Sequence, residues 1–558
     1  MNEWLTATVV IVGGGPHGLA LLSALHEKSF AFTQFSDTAY QTRVGFGSLS
    51  KIGSVCVVDP GSAFLDEWHK RFEALDIQHL RSPALAHPKA HEPHALVNFA
   101  VREGRTGELH HVPEATSQRL TTDGNSQQPL LLGLPSTALF RDFCADLAEG
   151  LPHQWLRGKA TRVHKDEVTG KFHVHYSTHD NKARVIIADA VALATGPSGQ
   201  ANIPEPFRPL VGMGSVSHTS DLFRRGALPD TRAIGDRASR VLVVGGGLTA
   251  VQAALAAVKG GSRVVLRSRR PLRTRAYDIA KDWLDVRHMN RLRFEFLSTH
   301  PEERALFARQ AVQGGSVPES YMRDLYHIAD TTDWLEIQTD EDVERSDVSP
   351  PDQHRGSVRV NGEEFDHIIL ATGVSNAPLQ LPLYQGIQAE LGAPDIDGLP
   401  HVDESLRWAE GHDLFVLGAN AVLELGPGAL NLMGAMRGAK IVASELRDLM
   451  WATTKGKSET PNAASSANMF SLLGMDDEES EDDDGESEEE ENCADSSDDD
   501  DDDDDDGSKD DVRGEVGALK GKLGLEGSHR CPWSRCEGDL LGYCLRCWRQ
   551  LEGLRLNC

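Results

Sequence analysis

The sequence predicts an α/β protein with two three-layer, parallel-sheet domains, then a disordered acidic linker and a small Cys-rich C-terminal module. Three observations carry that expectation. Two glycine loops, about 230 residues apart, each join an apolar strand to an apolar helix. An Ala-Thr-Gly turn ends a further apolar strand after each loop. Beyond about residue 450 the composition collapses into acidic and small polar residues.

The first loop opens the chain as Val9-Val-Ile-Val-Gly13-Gly14-Gly15-Pro16-His17-Gly18-Leu-Ala-Leu-Leu. Four β-branched residues predict a buried strand. Gly13 permits the tight turn, Gly15 lets the backbone approach a pyrophosphate, and Gly18 allows close helix–strand packing. Pro16 and His17 begin the helix, whose N-terminal N–H groups and dipole favour phosphate. Ser54-Val-Cys-Val-Val-Asp59 reads as the second strand, with Asp59 at its tip to accept ribose hydroxyls. Asp59 lies 41 residues past Gly18, where about 20 is usual, so the stretch near 30–50 reads as an insertion. Ala190-Val-Ala-Leu-Ala-Thr195-Gly196 is the first of the two Ala-Thr-Gly turns.

The second loop, Arg240-Val-Leu-Val-Val-Gly245-Gly246-Gly247-Leu-Thr-Ala250, repeats strand, Gly-x-Gly-x-x-Ala and helix in that order. Its second strand ends in Arg267-Ser268-Arg269-Arg270, where a site for NAD places an acid. Guanidinium forks there suit the 2′-phosphate of NADP through paired charge-assisted bonds. The strand His367-Ile-Ile-Leu-Ala then closes on Thr372-Gly373. Two dinucleotide loops in one Rossmann-like chain fit a flavoprotein that also binds a nicotinamide cofactor.

These residues resemble the two-dinucleotide-binding flavoproteins, and the resemblance covers roughly residues 8–450. It implies FAD on the first site and NADPH on the second. The disulfide reductases of that group carry a closely spaced redox cysteine pair, whereas no two cysteines lie close together here before Cys531. Within the group the chain is most similar to class B flavin monooxygenases, above all the lysine and ornithine N-hydroxylases. Gly13-Gly-Gly-Pro16-His-Gly-Leu19 is similar to their Gly-x-Gly-Pro loop, and Gln78-His-Leu-Arg-Ser-Pro83 with His87-Pro88 to the segment after their FAD strand. Gly214-Ser-Val-Ser-His218 resembles their Gly-x-x-x-His linker, although Gly212 stands where that motif has an aromatic residue. Val374 stands where the hydroxylases favour Tyr. The resemblance also makes Asp413-Leu-Phe-Val-Leu-Gly418-Ala-Asn420 the last strand to touch the flavin, with Gly418 and Asn420 as contacts. It implies boundaries of 1–200 and 374–450 for the FAD-binding part and 201–373 for the NADPH-binding part.

Charge and cysteines complete the reading. The formal charge is −29, and Asp476–Asp511 alone holds 25 acidic residues and one Lys. The rest is near neutral and has no basic stripe, which excludes a general nucleic-acid binder. No apolar run reaches the length of a membrane span, and the start has no basic leader region, so a soluble, cytoplasmic protein is expected. Residues 451–528 read as the disordered linker. Ser480, Ser487, Ser496 and Ser497 sit among its acids as possible kinase sites, although a plain solvating linker is favoured. Residues 529–558 carry Cys531-x4-Cys536-x7-Cys544-x2-Cys547, four thiolates that suit one tetrahedral zinc in a module whose default role is binding a protein partner. His87, His91 and His94 are spaced by prolines that forbid helical chelation, so a substrate-side loop is expected there. Cys56 and Cys144 read as buried apolar side chains.

The expected activity is that of an FAD- and NADPH-dependent oxidoreductase, monooxygenase-like. With O2 it would pass one oxygen, through a flavin C4a-hydroperoxide, to an amine or other soft nucleophile. No side chain stands out as the catalytic acid or base. The alternative is a flavin-bound regulatory protein with a zinc-binding tail and little turnover.

Overall fold

The computed structural model describes residues 5–26, 54–110, 132–197, 200–226, 237–277, 286–311, 315–341 and 356–455, with positions 228, 279–280, 283 and 347–349 between them. The expected insertion near 30–50, the acidic linker from residue 456 on with its serines, and the Cys531–Cys547 module lie outside the described residues; residues 451–455 of the expected linker instead end a helix.

The chain opens on strand β1 (Leu5–Val12), in which Val9, Val10 and Ile11 are wholly buried. Helix α1 (Pro16–His26) follows directly, then β2 (Val55–Asp59) and α2 (Thr137–Glu149). Ser136 caps α2, its Oγ accepting from the Leu139 N–H at 2.9 Å. Strands β3 (Gln154–Lys165), β4 (Phe172–Thr178) and β5 (Ala183–Leu193) form an antiparallel meander. The first residues of β3 also pair in parallel with β2, and β5 pairs in parallel with β1 over Leu5–Val12. The meander therefore grows out of the parallel sheet at both ends.

A second sheet follows, made of β6 (Val216–His218), β7 (Arg240–Val244), β8 (Arg263–Ser268) and β9 (Leu335–Thr339). Strands β10 (Val348–Ser349), β11 (Val358–Val360) and β12 (Glu363–Phe365) form a small antiparallel sheet, and β13 (His367–Leu370) returns to the large one. The large sheet runs β9-β8-β7-β13-β6, every pair parallel. One face is covered by α3 (Leu248–Lys259) and the helix Glu319–Thr331, through Val251, Ala254, Met322 and Leu325. The other face meets Val358, Val360 and Phe365 of the small sheet together with Phe207. Three layers were expected, and the third is a β-layer rather than helices, because βα crossovers supply helices to only one face here.

The last segment rejoins the first sheet. Helix α4 (Pro382–Leu391) leads to β14 (Leu414–Val416), which pairs in parallel with Val191–Leu193 of β5. Helix α5 (Leu432–Lys455) packs beside α1, with Leu22, Leu25, Ala439 and Val442 in one apolar core. Exit and return are tied together where the chain crosses between sheets. Asn202 N–H donates to the Gly373 carbonyl at 3.0 Å, Ser375 N–H donates to the Gln200 carbonyl at 2.9 Å, and Ala201 bridges Val374.

Candidate dinucleotide and flavin site

Each glycine of the first loop answers a different demand. Gly13 has φ +115° and its Cβ position lies 2.3 Å from the Ala194 carbonyl oxygen, so β1 and β5 close over it. A Cβ on Gly14 would meet the Trp155 ring at 2.4 Å, and one on Gly18 would lie 2.1 Å from the Gly13 carbonyl oxygen. Gly15 alone has nothing within 4 Å of its Cβ position. Open space at that glycine, beside the N-terminus of α1, is what an approaching pyrophosphate requires.

Asp59 ends β2 as expected and closes the loop from beneath. Its Oδ2 accepts from the Gly14 N–H and its Oδ1 from the Gly61 N–H, each at 2.7 Å. Burial pushes the carboxyl pKa up, and these two N–H groups hold it down in part. His17 is buried at the head of α1, where burial lowers its pKa to about 4 and keeps the ring neutral. Its Nδ1 is buried without a hydrogen-bond partner.

The first Ala-Thr-Gly turn meets the last strand. Gly196 has φ +73°, and its carbonyl accepts from Asn420 Nδ2 at 3.2 Å. The same Nδ2 lies 3.3 Å from Thr195 Oγ1 and 2.7 Å from the Tyr384 hydroxyl. Tyr384 and Thr195 hydroxyls are 2.8 Å apart. Burial raises the Tyr384 pKa to about 12, so the phenol stays protonated. Asn420 is fully buried, and its Oδ1 has no partner. Tyr384 was not legible in the sequence, because nothing in α4 marks a buried hydroxyl bound to residues about 190 and 36 positions away.

The second loop is built alike. Gly245 (φ +148°) would bring a Cβ to 2.4 Å from the Ala371 carbonyl oxygen, and Ala250 is wholly buried behind it. Gly247 caps α3 in an extended conformation, with only Gly315 near its Cβ position, at 3.9 Å. The three arginines expected at the 2′-phosphate divide. Arg269 and Arg270 are exposed past the end of β8, joined by Arg273. Arg267 is not there. It is 3% exposed, its Nε donates to Gln338 Oε1 at 2.9 Å, and its Nη2 lies 3.5 Å from Glu363. Arg267 is still within β8, on the face that carries Val265 and is covered by the small sheet with Glu363, whereas Arg269 and Arg270 lie past the strand's end.

The second Ala-Thr-Gly turn serves the crossing between the sheets. Thr372 Oγ1 donates to the Asn202 carbonyl, and Gly373 (φ +80°) accepts from the same residue. His218 of the linker motif is buried; burial lowers its pKa, with the Gly373 backbone opposing. Arg81 donates through Nε and Nη2 to the Ala276 carbonyl at 3.0 and 2.6 Å, and through Nη2 to Ser316 Oγ at 3.3 Å. It pins the segment after β2 to the stretch that follows the arginine turn.

His87 is wholly buried, its Nδ1 accepting from the Lys89 N–H at 3.2 Å and its Nε2 lying 3.3 Å from the Pro93 carbonyl. The ring stands edge-on to Phe143. It is a core residue that shapes its own loop, not a group offered to substrate. Among the described residues no group of His, Cys, Asp and Glu is arranged to hold a metal, and Cys56 and Cys144 are free and buried, as expected.

Comparison with known proteins agrees with this geometry. The pyridine nucleotide-disulphide oxidoreductase family matches residues 94–300. Ornithine hydroxylase from Pseudomonas aeruginosa is similar in fold, with TM-score 0.58 and 17% identity over 80% of this chain and 99% of that one. The cadaverine monooxygenase of Erwinia amylovora, solved bound to FAD, gives TM-score 0.54 and 16% identity over 79% and 94%. The ornithine N-hydroxylase of Kutzneria sp. 744, solved with reduced FAD, NADP+ and L-ornithine, gives 0.54 and 17% over 80% and 99%. No curated protein matches the sequence. The resemblance read from the motifs is thus matched by the fold.

Proposed function

We propose that this protein is an FAD- and NADPH-dependent oxidoreductase, monooxygenase-like, acting on a small molecule with an amine or other soft nucleophile. The observation that carries the reading is the pair of glycine cradles, each with one glycine left open beside a helix N-terminus. The fold shared over about four-fifths of the chain with flavin-dependent hydroxylases supports it.

The residues fit the two cofactors. Gly15 and the start of α1 would take the FAD pyrophosphate, Asp59 a ribose hydroxyl, and Gly418 with Asn420 the ribityl side. The unpartnered Asn420 Oδ1 is a buried acceptor that a hydroxyl donor would satisfy. Gly247 and the start of α3 would take the NADPH pyrophosphate, and Arg269 and Arg270 its 2′-phosphate. Bound FAD would supply hydride acceptance and oxygen activation; the chain's own part is orientation, neutral surroundings at His17 and exclusion of water. Dithiol chemistry has no support among the described residues, whose two cysteines are buried, unpaired and widely separated in sequence.

The free thiols of Cys56 and Cys144 support a reducing, cytoplasmic setting, and no described helix is long and apolar enough to cross a membrane. We read Cys531, Cys536, Cys544 and Cys547 as a zinc site whose module binds a protein partner.

Purified protein tests the central reading. It should be yellow, bleach with NADPH in the absence of air and recolour when air is admitted. A metabolite screen for stimulated NADPH oxidation, with product detection, then identifies the substrate. Protein that holds no flavin after gentle purification and gains none from added FAD overturns the reading in favour of a regulatory role.

A further inference from the structure

We infer that Tyr384 is a positioning residue for the flavin site, acting through Asn420; the inference rests on the FAD reading above. The Asn420 amide has two ends with opposite hydrogen-bonding character. The Gly196 carbonyl can only accept, and it lies 3.2 Å from Asn420 Nδ2. A flipped amide would set two acceptors against each other there. The Tyr384 hydroxyl, 2.7 Å from the same Nδ2, adds a second acceptor. Having accepted from Asn420, that hydroxyl directs its single proton to Thr195 Oγ1, 2.8 Å away.

The relay runs one way, from amide to phenol to threonine, and it leaves Oδ1 on the opposite edge of the amide. Asn420 is fully buried and Oδ1 has no partner, a state native proteins avoid. An acceptor in that position selects a donor, so the ligand group it takes is a hydroxyl of a sugar-alcohol chain. Tyr384 touches no such ligand itself. It is fully buried on α4 and packs beside Trp408, with ring centroids 5.5 Å apart, so its hydroxyl has little freedom to leave Asn420.

The test is a double-mutant cycle on FAD dissociation from the full chain, read by flavin fluorescence. Tyr384→Phe should weaken FAD binding roughly fivefold, the worth of one neutral hydrogen bond. In an Asn420→Ala background the same change should cost less than about twofold, because the amide it orients is gone. Equal losses in both backgrounds, or no loss in either, overturn the positioning role while leaving the FAD reading intact. A wild type that binds no FAD overturns both. Should Asn420→Ala not fold, Asn420→Asp serves. Its protonated acid can donate to Tyr384 and its carboxylate cannot, so its FAD affinity relative to wild type should rise from pH 8 to pH 6. A ratio independent of pH overturns the role.

Discussion

Gly418 faces the His17 ring, and a Cβ on Gly418 would lie 3.1 Å from ring atoms of that histidine. The end of the last strand of the first sheet and the first helix therefore meet with little room for a side chain. Gly418 also has φ +72°. Gly418→Ala should cost roughly 1–2 kcal/mol for the left-handed backbone alone, more if His17 is displaced. Urea unfolding of the variant measures this; an unchanged midpoint would show that the loop relaxes freely.

Gly15 and Gly18 should separate folding from cofactor binding. Gly18→Ala drives a Cβ into the Gly13 carbonyl, whereas Gly15→Ala enters open space at an ordinary φ. The first variant should lose thermal stability. The second should melt like flavin-free wild type yet purify with little flavin. Gly15→Ala protein with full flavin content would mean that the pyrophosphate lies elsewhere.

The arginines after β8 should divide in the same way. Arg269→Ala and Arg270→Ala each remove a charge-assisted contact worth about 1.5–3 kcal/mol when shielded. NADPH half-saturation should rise roughly tenfold or more, with NADH hardly altered. Arg267→Ala should instead lower stability, since Gln338 and Glu363 lose their buried partner. Arg269 and Arg270 variants that weaken both nucleotides equally would show a structural turn.

Acid should destabilise the protein through two buried histidines. His17 and His87 fall from about 6.5 to about 4 on burial. The unfolded chain thus binds protons first as pH drops, so the stability present above pH 6.5 is lost progressively down to about pH 4. Each ring contributes up to about 1.4 kcal/mol per pH unit in that window. His87→Gln should flatten the urea midpoint between pH 6.5 and 4.5; an unaltered slope would show that His87 does not carry it.

The cysteine-rich end should bind one zinc per chain. Metal analysis of protein purified without chelator measures it, and Cys544→Ser with Cys547→Ser should abolish the signal while leaving flavin content unchanged. Metal-free wild type, with all four thiols titratable, excludes the site.

Much of this architecture was legible because the governing physics is local. A strand, a glycine and a helix in succession encode a cradle, and both cradles form where the motifs put them. The place of Asp59 was legible despite its unusual spacing, because it ends an apolar strand. What escaped depended on long-range placement. Arg267 shares a short arginine run with Arg269 and Arg270, yet it is still inside β8 and under the small sheet against Glu363, while the other two lie past the strand's end. Tyr384 meets Thr195 and Asn420 only after three separate elements converge. Arg81 sat inside a recognised motif, but its partners Ala276 and Ser316 are 195 and 235 residues further along the chain. The β-layer over the second sheet was missed because its strands are only two or three residues long.

The return of β14 to the edge of β5 has a consequence for biosynthesis. Thr195 and Asn420, which meet at that edge, are 225 residues apart, and Arg447 reaches back to the Ala24 carbonyl across 423. At about 5–20 residues per second, a ribosome takes tens of seconds to make the stretch between Thr195 and Asn420. For that time the nascent first sheet has an unpaired parallel edge and α1 lacks the neighbour that covers it. The second sheet, contiguous from Val216 to Leu370, can close meanwhile. The half synthesised first is therefore the half finished last, and the edge left open meanwhile is that of β5 at Val191–Leu193.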